Sequence, residues 1–421
     1  MLWPLRLAMW SRLRRLRGSY PRQFWLLFWG MLISSTGASM IWPFLMIYVT
    51  RKLTLPLATA TSLMTVSAVM GLTSSVIAGP IIDTVGRKRV MLVSLAGNAL
   101  GYFLMSRAEN LPAFAALMAL NGASNPLYRV GADAMMADLI PPHRRIDAYS
   151  LMRLANNVGV ALGPALGGLA ASISFTVAFY GGAAGLLAFA GLIALFARET
   201  LPARVPGAGR APAARAESFG GYVQILRDWP FISFVATFSL VSICATLMWV
   251  LLGVYITKNF AITDQQYSWM PTTNALVVIF FQYGVTQISK RFRPLRVQAL
   301  GALLYAVAVA SVAFGRSYWA FWTSMVVMTL GELLVVPTSS TYAANLAPPD
   351  KRGRYMGLYG LTWTGAQSIG PLFGGFLSDS LGPQAPWFGG GLIGLVAVIS
   401  YLRLREARPP VRSPATREPG I

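Results

Sequence analysis

The chain of 421 residues holds one cysteine, Cys244, and one histidine, His143, which leaves no material for a disulfide framework, a Cys/His metal site or a cysteine–histidine catalytic pair. Charge is scarce as well. Asp, Glu, Lys and Arg make up 12% of the residues, about half the roughly 25% of an average soluble domain, which excludes an ordinary soluble enzyme. No metal and no cofactor is expected. What the chain has instead is 55% hydrophobic residues with 40 Gly, 26 Pro and 12 Trp, a mixture that suits membrane helices packing closely, breaking within the bilayer and anchoring at its surfaces.

Apolar stretches long enough to cross a hydrocarbon core of roughly 30 Å recur at about 23–50, 57–82, 89–106, 111–140, 147–172 and 175–197, and again at about 230–257, 266–289, 295–314, 317–346, 355–380 and 385–404. The pattern predicts an all-α integral membrane protein of twelve spans in two six-helix bundles, 23–197 and 229–404. A Pro/Ala/Arg-rich linker (198–228) lies between them, and a Pro/Arg-rich tail (405–421) reads as disordered. Residues 1–22 alternate Leu and Trp with Arg, a composition for a basic amphipathic helix lying in the cytoplasmic interface. No short apolar core with a cleavage site marks them as a signal peptide.

In a soluble protein a net charge of +21 would point to nucleic acid. Here the cations sit in short loops between spans. With both termini inside, 28 of the 35 Lys and Arg fall on the cytoplasmic side and only Arg51, Lys52, Arg107, Lys258 and Arg316 on the other. The positive-inside rule therefore places both termini in the cytoplasm of a cell that carries the chain in its inner (plasma) membrane, with lipid and not nucleic acid around it. A monomer is expected.

The segment Asp138-Leu-Ile-Pro-Pro-His-Arg-Arg145 aligns with Asn345-Leu-Ala-Pro-Pro-Asp-Lys-Arg352 at an offset of 207, and Gly163-Pro164-x-x-Gly167-Gly168 aligns with Gly370-Pro371-x-x-Gly374-Gly375 at the same offset. Two spans and their loop in common register indicate a duplicated six-helix unit, its halves parallel about an axis along the membrane normal. The loop after span 2, Gly79-x-x-x-Asp83-x-x-Gly86-Arg87-Lys88-Arg89, resembles a signature of the major facilitator superfamily, and Gly159-x-x-x-Gly163-Pro164-x-x-Gly167-Gly168 in span 5 resembles the motif of its twelve-span drug:proton antiporters. The resemblance covers nearly the whole chain. It implies a gating latch in which Asp83, framed by Gly79 and Gly86, caps a helix of the opposite half while Arg87 pairs with Asp138 at the end of span 4. It also implies that the span-5 motif seals against ion leak. The chain departs from the pattern at Met118, where family members often carry an arginine in span 4, and in the loop after span 8, which keeps its cations but lacks the carboxylate.

Ionisable groups at mid-depth are the candidates for proton coupling. In span 4 Asn121, Asn125, Arg129 and Asp133 recur every four residues, which reads as one polar face, with Asn121 and Asn125 as candidates to line the substrate cavity. Arg129 and Asp133 either neutralise one another as an i, i+4 pair or face a water-filled path, since a charge at that depth costs at least about 2.5 kcal/mol. Glu332 is the sole acid at mid-depth of the second half and the repeat counterpart of Asn125; no cation lies within one turn of it, which suits a carboxyl that binds and releases a proton. In span 5 Arg153, Asn156 and Asn157 share a face, with snorkelling and cavity lining equally open to Arg153. Trp29, Tyr128, Trp249, Tyr359 and Trp363 are further candidates for a mainly apolar cavity. Such a cavity suits amphipathic or cationic compounds better than sugars.

The expectation is a secondary active transporter, not an enzyme: proton-coupled efflux of hydrophobic or cationic drugs or metabolites by alternating access, with an importer or lipid transporter of the same fold as the alternative. Its partners would be a small-molecule substrate, protons and the bilayer.

Overall fold

A computed structural model describes residues 20–141, 144–201, 225–348 and 352–405. His143 and nearly all of the expected amphipathic N-terminal segment, linker and tail lie outside the described residues. Among the described residues every regular element is helical. The first half comprises α1 (Arg22–Ile41), a 3₁₀ turn (Trp42–Phe44), α2 (Leu45–Leu53), α3 (Leu57–Val85), α4 (Arg87–Met105), α5 (Leu111–Leu139), α6 (Arg145–Ile173) and α7 (Phe175–Phe196). The second comprises α8 (Trp229–Asn259), α9 (Asp264–Ser289), α10 (Pro294–Val312), α11 (Tyr318–Leu346), α12 (Arg352–Leu381) and α13 (Ala385–Arg403).

Span 1 is α1 and α2 together, broken where Pro43 removes a backbone donor; α3 to α13 are spans 2 to 12. The offset of 207 carries Arg87–Met105 onto Pro294–Val312 and Leu111–Leu139 onto Tyr318–Leu346 residue for residue. The repeat thus extends well beyond the two spans in which the sequence displays it.

Eight of these spans are apolar enough to cross a membrane on length and composition alone. The other four are α4, α5, α9 and α12, whose polar residues include Asn98, Arg129, Asn274 and Asp379. Three of them nonetheless carry an apolar exterior of their own, with Val93 and Leu100 of α4, Phe280 and Phe281 of α9 and Ile369 and Phe376 of α12 exposed.

Close packing rests on small residues. α1 lies against α6 and α7 of its own half, whereas α2 packs on α8 of the other as well as on its own half, where Tyr48 and Lys52 both donate to the Ser106 carbonyl at 2.9 Å. A Cβ on Gly159 would stand 2.9 Å from the Leu32 carbonyl and one on Gly163 2.8 Å from the Thr36 carbonyl, so these helices touch backbone to backbone.

The two halves meet at one face and part at the other. The largest apolar cluster runs without interruption from Phe44, Tyr48, Leu63 and Phe114 of the first half through Leu251, Tyr255, Phe321 and Trp387 of the second. A separate cluster around Phe24, Met91, Met135 and Phe189 fills the first half near the arginine-rich loops. Hydrogen bonds cross between halves from Arg51 to both Asp264 oxygens (2.6 and 2.9 Å), from the Leu57 and Ala58 amides to Asp379 (3.1 and 2.8 Å), and from Thr65 Oγ1 to the Ser368 carbonyl (3.0 Å). All lie toward the face opposite the arginine-rich loops. Nearer those loops, Gly79 on α3 and Gly357, Gly360 and Gly365 on α12 have open space where a side chain would be.

Candidate functional site

Asn125 is the fifteenth residue of the 29 in α5, and Glu332 the fifteenth of the 29 in α11. The two stand at the same depth in the two halves. Glu332 is partly buried, and its Oε2 accepts a 2.8 Å hydrogen bond from Asn274 Nδ2 on α9, which also donates to Thr329 Oγ1 at 2.9 Å. Asn274 is buried. The carboxyl is therefore held by one neutral donor across a helix interface, with no cation paired to it among the described residues.

On α5 the four polar residues do not form one face. Steps of four advance 40° around a helix with 3.6 residues per turn, so Asn121 has rotated about 120° away from Asp133. It points at α4: a Cβ on Gly101 would collide with the Asn121 amide, and Asn121 Oδ1 is buried without a partner. The expectation that Asn121 lines the cavity is corrected accordingly. Asn125, Arg129 and Asp133 are exposed, as is Arg153 on α6. No ion pair links Arg129 to Asp133; the ion pairs among the described residues are Arg51–Asp264, Arg87–Asp83 and Arg87–Asp138. The close neutralising pair is not formed, and the coupling between Arg129→Gln and Asp133→Asn in unfolding free energy is expected to stay below about 1 kcal/mol. A double variant more stable than Asp133→Asn alone would restore the pair.

The aromatic candidates divide. Trp29 is 54% exposed. Tyr128 turns into the first half, its ring 5.8 Å from Phe189 and its hydroxyl 3.8 Å from Met31 Sδ, so it is a packing residue and not cavity lining. Tyr359 is likewise committed to the interior of the second half, stacked on Phe238 at 5.0 Å and bonded to Ser339 at 2.7 Å. Trp363 meets the same Phe238 edge-on at 6.4 Å, and Trp249 is partly buried against the main cluster. Asn157 is partly buried beside Asn156, whose Oδ1 accepts from Ser35 Oγ at 2.8 Å. Met118, standing where the family often has arginine, is buried in the core.

At the arginine-rich face Arg87 is buried, its Nε 2.9 Å from Asp138 Oδ2 and its terminal nitrogen 3.9 Å from Asp83 Oδ1. The Arg87–Asp138 contact is an ion pair without an aligned hydrogen bond. Asp83 is largely exposed, its side chain 70% accessible.

A further acid completes this cluster. Glu199, just beyond α7, accepts from the Arg87 and Lys88 amides at 3.0 and 3.1 Å and so caps α4, while Thr200 Oγ1 donates to Asp138 Oδ2 at 2.8 Å. Gly86, at φ +106°, makes room for it: a Cβ there would lie 2.5 Å from Glu199 Oε2. Burial opposes the charge on Glu199, but the backbone donors of Leu201, Arg87, Lys88 and Thr200 outweigh it and hold the carboxyl below its ordinary range. The stabilisation is thus present above the ordinary carboxylate range and lost only as pH falls through the depressed value. Sequence reasoning missed Glu199. The available signal was that α4 begins after Gly86 with no capping side chain of its own, in a chain with only 14 acids.

Comparison with known proteins agrees with this architecture. The chain is 28% identical over 408 residues to a Na(+), Li(+), K(+)/H(+) antiporter of Planococcus maritimus, covering 88% of this chain and 92% of the relative. It is 26% identical over 342 residues to the multidrug resistance protein MdtH of Klebsiella pneumoniae, covering 80% and 81%. A crystal structure of a POT family transporter in complex with a thioalcohol-conjugated peptide superposes with a TM-score of 0.75 at 16% identity, over 91% of this chain and 95% of that one. The profile of the Major Facilitator Superfamily matches residues 27–255 and 234–420, and with its duplicated six-helix halves the chain belongs to that superfamily of membrane transporters.

Proposed function

We propose that the chain is a proton-coupled exporter of hydrophobic or cationic small molecules in the cell membrane, with both termini cytoplasmic, working by alternating access. The single observation that carries this reading is Glu332: a carboxyl at the midpoint of α11, at the depth of Asn125, held by one neutral amide. The proton would exchange there, and Asp133, Arg129 and Arg153 would line the way to the arginine-rich face. With that face cytoplasmic by its charge, the halves part toward the cytoplasm and the structure corresponds to the inward-open state, in which Asp83 has let go of the opposite half. Gly159, Gly163 and Gly167 of the motif would seal α6 against α1, and Gly168 seats α6 on α9 of the other half.

The similarity to a multidrug resistance protein favours drugs as substrates. The similarity to a cation/proton antiporter favours a second reading, exchange of monovalent metal cations for protons. Arg129 and Arg153, exposed without an ion-pair partner among the described residues, would repel a bare cation and weigh against it. The test is accumulation of a cationic dye, and separately of Na⁺, in inverted vesicles under an imposed proton gradient. Dye uptake that collapses with an uncoupler is expected. Uptake indifferent to the gradient removes proton coupling, and gradient-driven uptake of Na⁺ without dye moves the assignment to the second reading.

A further inference from the structure

The halves are joined by α6 on α9 and by α3 on α12; the second pair is antiparallel, and each of its helices carries an aspartate two residues before its last. On α3 the run is Gly79-x-x-x-Asp83-x-x-Gly86; on α12 it is Gly375-x-x-x-Asp379-x-x-Gly382. The spacing is identical, and the closing glycines share a positive φ, +106° for Gly86 and +105° for Gly382. After Gly86 come Arg87, Lys88 and Arg89, whereas after Gly382 comes Pro383. That difference follows from the opposite membrane faces the two ends occupy.

The second run is engaged here. The Asp379 carboxylate accepts from Leu57 N and Ala58 N, one amide to each oxygen, at the start of α3. α3 has no capping side chain of its own, because the residue before it is Pro56. The equivalent start of α9 is capped within its own half by Thr263 and Gln266. A carboxylate on exposed helix N–H groups is favoured by both hydrogen bonding and the helix dipole, so the first half borrows its cap from the second. Gly375 permits the approach, since a Cβ there would be 2.7 Å from the Ala58 Cα. The first run is disengaged: Gly79 faces open space and Asp83 is largely exposed.

We infer that Gly375-x-x-x-Asp379-x-x-Gly382 is an external clasp, in which Asp379 is a positioning residue that holds the outer face shut by capping α3. It alternates with Asp83, which acts at the other end of the same helix pair. The Arg51–Asp264 ion pair closes the same face. Ile47, Arg51, Lys258, Asn259 and Trp387, from both halves, line a cleft of about 800 Å³ beside the clasp. When the outer face opens, α3 must give up its cap; when the inner face closes, Asp83 gains its own. The inference rests on the alternating access proposed above and is independent of what drives it.

The test uses a reporter cysteine at Ser268, 1% exposed where α9 meets Gly168 of the other half. The native Cys244 is fully buried and adds no background. A membrane-impermeant maleimide is applied to intact cells, without substrate and without an imposed gradient. Asp379→Ala is expected to raise labelling of Ser268→Cys about ten-fold, the equivalent of one helix cap, and adding Asp83→Ala to bring it back toward the parent.

Pro56→Asp separates holding the halves from merely stabilising α3, because it gives α3 a cap from its own half. Labelling is expected to stay high in Asp379→Ala with Pro56→Asp. A return to the parent level would assign Asp379 to local helix capping and overturn the clasp. Should Asp379→Ala not accumulate, Asp379→Asn, which keeps an acceptor but loses the charge, is expected to raise labelling about three-fold, and parent-level labelling in that variant also overturns the clasp. Because no transport is measured, a failure of the clasp and a failure of proton-coupled efflux are separate results.

Discussion

Glu332→Gln is expected to abolish uphill, gradient-driven efflux while substrate still binds and equilibrates down its own gradient, so that the accumulation ratio in inverted vesicles falls to about one. Gln has the shape of the protonated acid, and its carbonyl can still accept from Asn274 Nδ2, which now makes the 2.8 Å bond to Glu332 Oε2. Packing and the buried Asn274–Thr329 contact are therefore preserved. Only the ability to release a proton is lost. A carboxyl couples proton to substrate when its two protonation states favour different conformations or ligands, and a side chain with one state cannot do so. Wild-type accumulation by Glu332→Gln would remove this residue from the coupling step and leave Asp133 as the next acid on the path.

The second large effect is on folding and is deliberately asymmetric. Gly167→Ala is expected to leave little folded protein, whereas Gly374→Ala, at the repeat-equivalent position, should shift the apparent Tm by only a few degrees. A Cβ on Gly167 would lie 2.8 Å from the Met40 Cα and nearer still to its carbonyl. α1 and α6 would have to separate along their length. The neighbours of Gly374 are the ends of the Leu247 and Leu251 side chains, which can change rotamer. Overpacking against backbone costs about 3 kcal/mol or more, against about 1 kcal/mol where side chains yield. Size-exclusion profiles and thermal scans of the detergent-solubilised variants measure both, and equal behaviour of the two would mean that the halves pack alike despite these contacts.

Much of the architecture was legible in advance because one physical signal dominates it. A membrane forces each crossing segment to satisfy its own backbone hydrogen bonds, so runs of apolar residues mark helices, and their limits agree with the observed ones to within a few residues from α1 to α13. The basic loops were equally plain. What the linear pattern hides is the partner of each polar residue. Periodicity by fours put Asn121 on the face of Asp133, although the accumulated rotation turns it onto Gly101. Tyr128 and Tyr359 were read as cavity aromatics because aromatic side chains carry no mark of which neighbour they meet. Glu199 caps a helix more than a hundred residues before it, and Asp379 one more than three hundred before it. No local rule connects such residues, yet both complete helix ends that lack a cap of their own, and that deficit is visible in the sequence.

The break in span 1 gives the molecule a joint. α1 is packed backbone to backbone on α6, while α2, beyond the Trp42–Phe44 turn, is held on both sides: Tyr48 and Lys52 donate to the Ser106 carbonyl of its own half, and the helix packs on α8 of the other and carries Arg51 to Asp264. With Pro43 removing a hydrogen bond that would otherwise stiffen the junction, the direction of the short outer rod is set by these attachments and not by the long inner one alone. It serves as a lever: tilting of the first half is delivered to the outer ion pair at an angle set by the turn, so the external seal and the inner mouth are geared to each other and not rigidly joined.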